Sequence, residues 1–350
     1  MDGGHHPGRP GKDPLTVTKL EIATVPGMAA PGHPTAVRVR GFLSRSGLLI
    51  VLLVLIVIAN VLSGGSFLTT NNLINILAQN SVLGVLAVGQ TLIILTAGID
   101  LSLGSITALS AVVILQTQGL GFVPSLLLGI GSGLGAGLIN GLLVSYGRVP
   151  PFIATLGMMQ VAMGLAYVVS KGFSIDDRNH VGLLFGHDKL FDTVPSIVII
   201  WGLVTVVAWF VTKRMGYGSY IYAVGGNQRA AKASGVPVTR TLIFVYVFGG
   251  ICAAIGAVLY ISRNGNAEPS IANITTLSLS MAPVVVGGTS LFGGIGGVWK
   301  TIVGVLILGV LSNIMVLIGV AANPQQAVQG VIIVAVVWIF TVQERRRMLR

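Results

Sequence analysis

Gly84-Val-Leu-Ala-Val-Gly-Gln-Thr-Leu-Ile-Ile-Leu-Thr-Ala-Gly-Ile-Asp-Leu-Ser-Leu-Gly104 places one carboxylate, Asp100, between two long apolar runs. An ionised carboxylate in hydrocarbon is expensive unless it caps backbone donors, finds a pair or lines a wet cavity. Asp100 therefore marks a break between helices rather than the middle of one. Gly98 is expected to permit the unwound turn, and Asp100 to accept hydrogen bonds from free N–H groups opening the next helix.

Composition sets the class. Of 350 residues, 53% are hydrophobic and 9% charged, and the mean hydropathy is +0.89. A water-facing surface needs roughly a quarter of its residues charged, so a soluble globule is excluded. Several uncharged runs of about 17–25 residues each suffice to cross a core roughly 30 Å thick. The reading is an all-α polytopic membrane protein. The net charge of +11 raises nucleic acid as a partner, but the basic residues fall in loops on alternate sides of the spans, the positive-inside pattern. No nucleic-acid role is expected, and membrane lipid is the surrounding partner. Cys252, the sole cysteine, lies in an apolar run, which excludes an intramolecular disulfide.

Residues 1–45 read as a disordered cytoplasmic tail, rich in Gly, Pro and His. His5 and His6 lack further ligands, and no metal site is expected. The transmembrane body spans 46–342, and 343–350 is a basic cytoplasmic end. Spans are expected near 46–63, 74–97, 101–116, 122–145, 151–170, 196–212, 241–262, 275–292, up to 319, and up to 342. Pro150-Pro151 opens the fifth, since proline is tolerated in a first helical turn. Ten spans put 17 Lys or Arg inside against 4 outside, with both termini cytoplasmic.

Gly129, Gly133, Gly137 and Gly141 recur every four residues, one helix face that allows close helix contact. A dinucleotide fingerprint is excluded because its spacing is absent and no strand precedes it. Asn140 and Asn313 are each followed by a proline and by a glycine at +17. This echo raises two inverted five-helix halves, an arrangement transporters use. The loop 213–240 carries five basic residues and no acidic one. Asn227 is placed to cap a short helix over 228–234, with Gly235 and Pro237 as its stop. Such a helix is either a solvated positive-inside segment or a docking element.

Gln90, Thr96, Asp100 and Ser102 gather polar groups at the break. They are candidate substrate-pathway residues, because hydroxyl and amide contacts suit a polyhydroxy solute that must be released. The competing role for Asp100 is a helix cap alone.

The segments 89–104, 151–157, 222–227 with Ala230-Ala231 and Ser234-Gly235, 286–294, and 67–77 resemble the permease subunits of ribose-type sugar ABC importers, including the xylose- and arabinose-like members. The likeness covers about residues 46–342. It implies a dimer with a second permease copy or homologue in the bacterial inner membrane. It also implies an extracytoplasmic sugar-binding protein and a cytoplasmic ATP-binding subunit that holds ATP and Mg. By the same resemblance Asn227, Gln228, Arg229, Ala230, Ala231 and Gly235 form the coupling helix to the ATPase. This chain is then a transport subunit, not an enzyme; Gly288-Thr-Ser-Leu-Phe-Gly-Gly lacks the Lys-Ser/Thr ending of a nucleotide-binding loop. Two departures stand out. Gln228-Arg229 replaces a glutamate before the paired alanines, and Pro283, expected to kink the eighth span, lies where relatives carry acidic residues. The alternatives are an ion-coupled secondary transporter, or an ABC permease for branched-chain amino acids or nucleosides.

Overall fold

The computed structural model describes residues 3–4, 34–179, 189–190, 194–272, 274–321 and parts of 324–338. The chain divides into two units, Met1–Arg45 and Ser46–Arg350. Helices α1 (Pro34–Leu62), α2 (Thr70–Leu95), α3 (Leu103–Gln116), α4 (Phe122–Ser145) and α5 (Pro151–Ser170) come first. They are followed by α6 (Ser196–Arg214), α7 (Gly216–Gly226), α8 (Gln228–Ala233), α9 (Val238–Asn264), α10 (Ile274–Val286) and α11 (Val298–Leu317). The tail over 5–33, part of the tenth expected span, including its end over 339–342, and the end 343–350 lie outside the described residues. Helix α1 begins at Pro34, ahead of the expected start near Ser46.

Among the described residues, six helices are long and apolar enough to cross a membrane: α2, α4, α5, α6, α9 and α11. Helix α3 and the part of α1 over Gly47–Leu62 are shorter apolar helices. The eighth expected span is shorter than its apolar run, because α10 passes through Pro283 and stops at Val286. The following glycine-rich segment folds into turns, with Gly288, Gly293, Gly294 and Gly296 at positive φ.

Helices α2 and α9 form the centre, packed on each other, with α4 and α3 against α9 and with α11 and α6 against α2. Helix α3 is buried on nearly every side, its Ser105, Thr107 and Ser110 included, and it carries no charged residue. Its 14 residues reach about 21 Å, short of a hydrocarbon core. It is a core helix wrapped by α4, α5 and α9.

The glycine face of α4 is what brings it onto these helices. A Cβ on Gly133 would stand 2.8 Å from Ala254 Cβ, one on Gly137 3.2 Å from Gly250 Cα, and one on Gly141 2.9 Å from Ile243 Cα. Gly129 faces Ile114 and Ser110 of α3 instead. Gly131 and Gly135 look onto open space.

Polar side chains fasten α2 to α11 at two levels. Asn72 and Asn313 exchange amide hydrogen bonds of 3.0 and 2.9 Å, and the hydroxyls of Thr91 and Thr301 meet at 2.7 Å. Helix α5 ends in a left-handed cap at Lys171, with φ 55°. Beyond it, β1 (Ile175–Asp176) pairs antiparallel with β4 (Asn266–Ala267), and β2 (Lys189–Leu190) with β3 (Val194–Pro195).

Candidate functional site

The break after α2 is closed by its own backbone. Ala97 N–H donates to Ile94 O at 2.9 Å and Gly98 N–H to Ile93 O at 3.1 Å, the paired bonds of a Schellman stop. The left-handed residue is Ala97, with φ 61°, not Gly98 as expected. Gly98 serves a different need: a Cβ there would stand 2.9 Å from the Tyr246 hydroxyl and 3.1 Å from Ile93 Cγ2. The glycine admits α9 to the turn.

Asp100 is 1% exposed. Its Oδ1 accepts from the Ser102 N–H at 2.7 Å and from the Ser102 hydroxyl, a local side-chain turn leading into α3. Asn140 Nδ2 of α4 donates to Ser102 Oγ at 2.9 Å. Gln90, one helical turn and a half before the break, faces the Asp100 backbone: with its amide oriented so that both atoms are satisfied, its nitrogen donates to Asp100 O at 3.2 Å and its oxygen accepts from Asp100 N–H at 3.3 Å. Thr155 of α5 donates to Ile99 O at 3.2 Å. Asp100 Oδ2, Asn140 Oδ1 and the Tyr246 hydroxyl are buried with no protein hydrogen-bond partner.

The structure thus brings Gln90, Asp100 and Ser102 into one network, while Thr96 turns back on its own helix, donating to Ile93 O at 2.8 Å. Thr155 and Tyr246 were not among the residues picked from sequence. Thr155 lies in the segment 151–157, a motif that could have flagged it; Tyr246 is one aromatic in an apolar run and carries no signal.

The loop 213–240 holds two helices where one was expected. Helix α7 occupies Gly216–Gly226, with Lys213 Nζ 5.4 Å from the centroid of the Tyr222 ring. Helix α8 starts at the expected cap, the Asn227 side chain accepting from Ala230 N–H at 3.0 Å. It stops with Gly235 at φ 81°, where Gly235 N–H donates to Lys232 O at 3.1 Å and Val236 N–H to Ala231 O at 3.0 Å. Ala231 is its one buried residue, sunk among Val224, Val238 and Leu242. Gln228, Arg229, Ala230 and Lys232 are exposed. This six-residue helix is anchored by one methyl and otherwise faces outward.

One family model and several curated relatives match this chain. The family model described as "Branched-chain amino acid transport system / permease component" matches residues 72–337. The ribose import permease protein of Escherichia coli (strain K12) is 39% identical over 306 residues, 86% of this chain and 94% of that one. The fructose import permease protein of Rhizobium meliloti is 37% identical over 302 residues, 83% of each chain. The D-allose transport system permease protein of Escherichia coli (strain K12) is 36% identical over 304 residues, 85% of this chain and 91% of that one. No solved structure matches.

Proposed function

We propose, on the premise that this chain belongs to the family of branched-chain amino acid transport system permease components, that it is the membrane-spanning permease subunit of an ATP-driven ABC importer for a monosaccharide or related polyol. The relatives named for ribose, fructose and D-allose, each matched over most of its length, carry the cargo class. The family description favours a second reading, branched-chain amino acids. An amino-acid zwitterion calls for fixed charges in the path, and Asp100 is the sole carboxylate in the runs flanking the break.

In this reading the chain is a transport subunit without an ATPase site, and ATP with Mg is held by a cytoplasmic partner. Helix α8 docks in that partner's groove through Gln228, Arg229, Ala230 and Lys232, with Asn227 and Gly235 fixing its ends. An extracytoplasmic binding protein delivers sugar on the opposite face, and a second permease copy or homologue completes the channel. The protein lies in the bacterial inner membrane with both termini cytoplasmic. Gln90, Thr96, Asp100 and Ser102 border the substrate path at the break, where closure of the ATPase pair switches access.

Co-purification from detergent tests the assignment. The native protein should bring down a soluble ATPase, and Arg229→Glu and Gly235→Pro should insert normally yet lose ATP-linked uptake of ribose, fructose or allose. Uptake by the native protein in proteoliposomes containing no ATPase would refute the ABC reading.

A further inference from the structure

Three segments far apart in sequence meet backbone to backbone at the end of α2 that carries the break. Gly294 N–H donates to Leu95 O at 3.0 Å. A Cβ on Gly225 would collide with that same Leu95 oxygen and stand 2.6 Å from Gly294 N. One on Gly293 would stand 2.7 Å from Ala97 N and 2.8 Å from Gly225 O. One on Gly294 would stand 3.0 Å from Gly226 Cα. Tyr222 adds a hydroxyl bond to Gly296 O at 3.1 Å, tying α7 to the same loop.

The placement of these glycines matters more than their number. Gly225 sits in the last turn of α7, immediately before Asn227 caps α8. Ala97 holds the left-handed turn that leads to Asp100. Between the docking helix and the break, the contacts at Gly225, Gly293 and Gly294 are made by glycine backbone, which has no rotamer to change and absorb a shift.

We propose that Gly225, Gly293 and Gly294 are positioning residues that carry displacement of α8 directly to the turn at Ala97–Asp100. The proposal rests on the importer reading, in which α8 is moved by an ATPase. The loop 287–297 is then a wedge between α7 and the end of α2, and movement of α7 shifts both together.

The test uses the full importer complex in proteoliposomes, following sugar uptake and ATP hydrolysis together. Gly226→Ala is the control, because a Cβ there meets nothing within 4 Å; it should transport as the native protein does. Gly225→Ala should keep the ATPase bound and hydrolysing within about twofold of native, while sugar imported per ATP falls about tenfold or more. A purely structural glycine would lower both activities in proportion and leave that ratio unchanged. Uptake per ATP at the native value in Gly225→Ala, or loss of ATPase binding by that variant, overturns the proposal.

A second measurement leaves every glycine in place. Spin labels on Ser219→Cys and Phe292→Cys, in a Cys252→Ser background, report the distance across the junction. That distance should be the same in nucleotide-free and ATP-trapped complexes; separation of the labels overturns the proposal. Native complex that imports sugar without ATP would overturn the importer reading and the proposal together, whereas ATP-dependent native uptake with matched Gly225→Ala and Gly226→Ala variants removes the proposal alone.

Discussion

Asp100 closes the turn that leads into α3 through one oxygen, which accepts from the Ser102 N–H and hydroxyl, and that division of labour separates two substitutions. Asp100→Ala leaves the buried Ser102 N–H and hydroxyl without their acceptor, a cost of about 1–3 kcal/mol. Asp100→Asn keeps an acceptor oxygen while removing the charge. Thermal unfolding in detergent should therefore show a clear fall for Asp100→Ala and a smaller one for Asp100→Asn. Equal losses would mean that the charge, not the acceptor, holds the turn. Ala97 offers the complementary case: a left-handed alanine is strained by roughly 1 kcal/mol, so Ala97→Gly should unfold at or above the native midpoint. That Asp100 lies at a break was legible from sequence, because a carboxylate between apolar runs has few physical alternatives. Which neighbouring residue takes the left-handed turn was not, because Gly98 is needed for the approach of Tyr246, a contact 148 positions away that no local pattern encodes.

Helices show the same contrast between local and distant causes. Helices α4 and α5 begin and end where proline, glycine and apolar runs put them, and the cap at Asn227 is read from its own neighbours. The length of α10 and the existence of α7 were not legible, since both depend on partners: the turns after Val286 are set against α7 and α2. Two predictions belong at this scale. Asn227→Ala removes the side-chain acceptor of α8 at about 1 kcal/mol and should weaken retention of the ATPase on purification, with Asn227→Asp restoring it. On α4, Gly137→Ala should lower the thermal midpoint, because its Cβ runs into the Tyr246 carbonyl and overpacking costs about 1–3 kcal/mol. Gly135→Ala points into open space and should leave the midpoint unchanged or raise it. Equal effects from these neighbours would contradict the packing of α4 on α9.

For the molecule as a whole, the distribution of basic residues predicts an orientation that can be checked chemically. In a Cys252→Ser background, Phe173→Cys, 74% exposed beyond α5, should react with a membrane-impermeant maleimide on intact cells. Ser234→Cys, exposed just past α8, should react only after the membrane is opened. The reverse pattern would invert the topology and place the docking helix on the wrong side for an ATPase. The pairing of α2 with α11 bears on how such a body deforms. Asn72 and Thr91 lie 19 positions apart on α2, roughly 28 Å along its axis, and each is fastened to α11. Two fastenings at that spacing oppose rolling and sliding of either helix on the other, each by about 1 kcal/mol, and favour movement of the pair as one beam. If Leu95 is pushed as proposed, the displacement is expected to reach Asn72, at the other end of α2, without a second moving part.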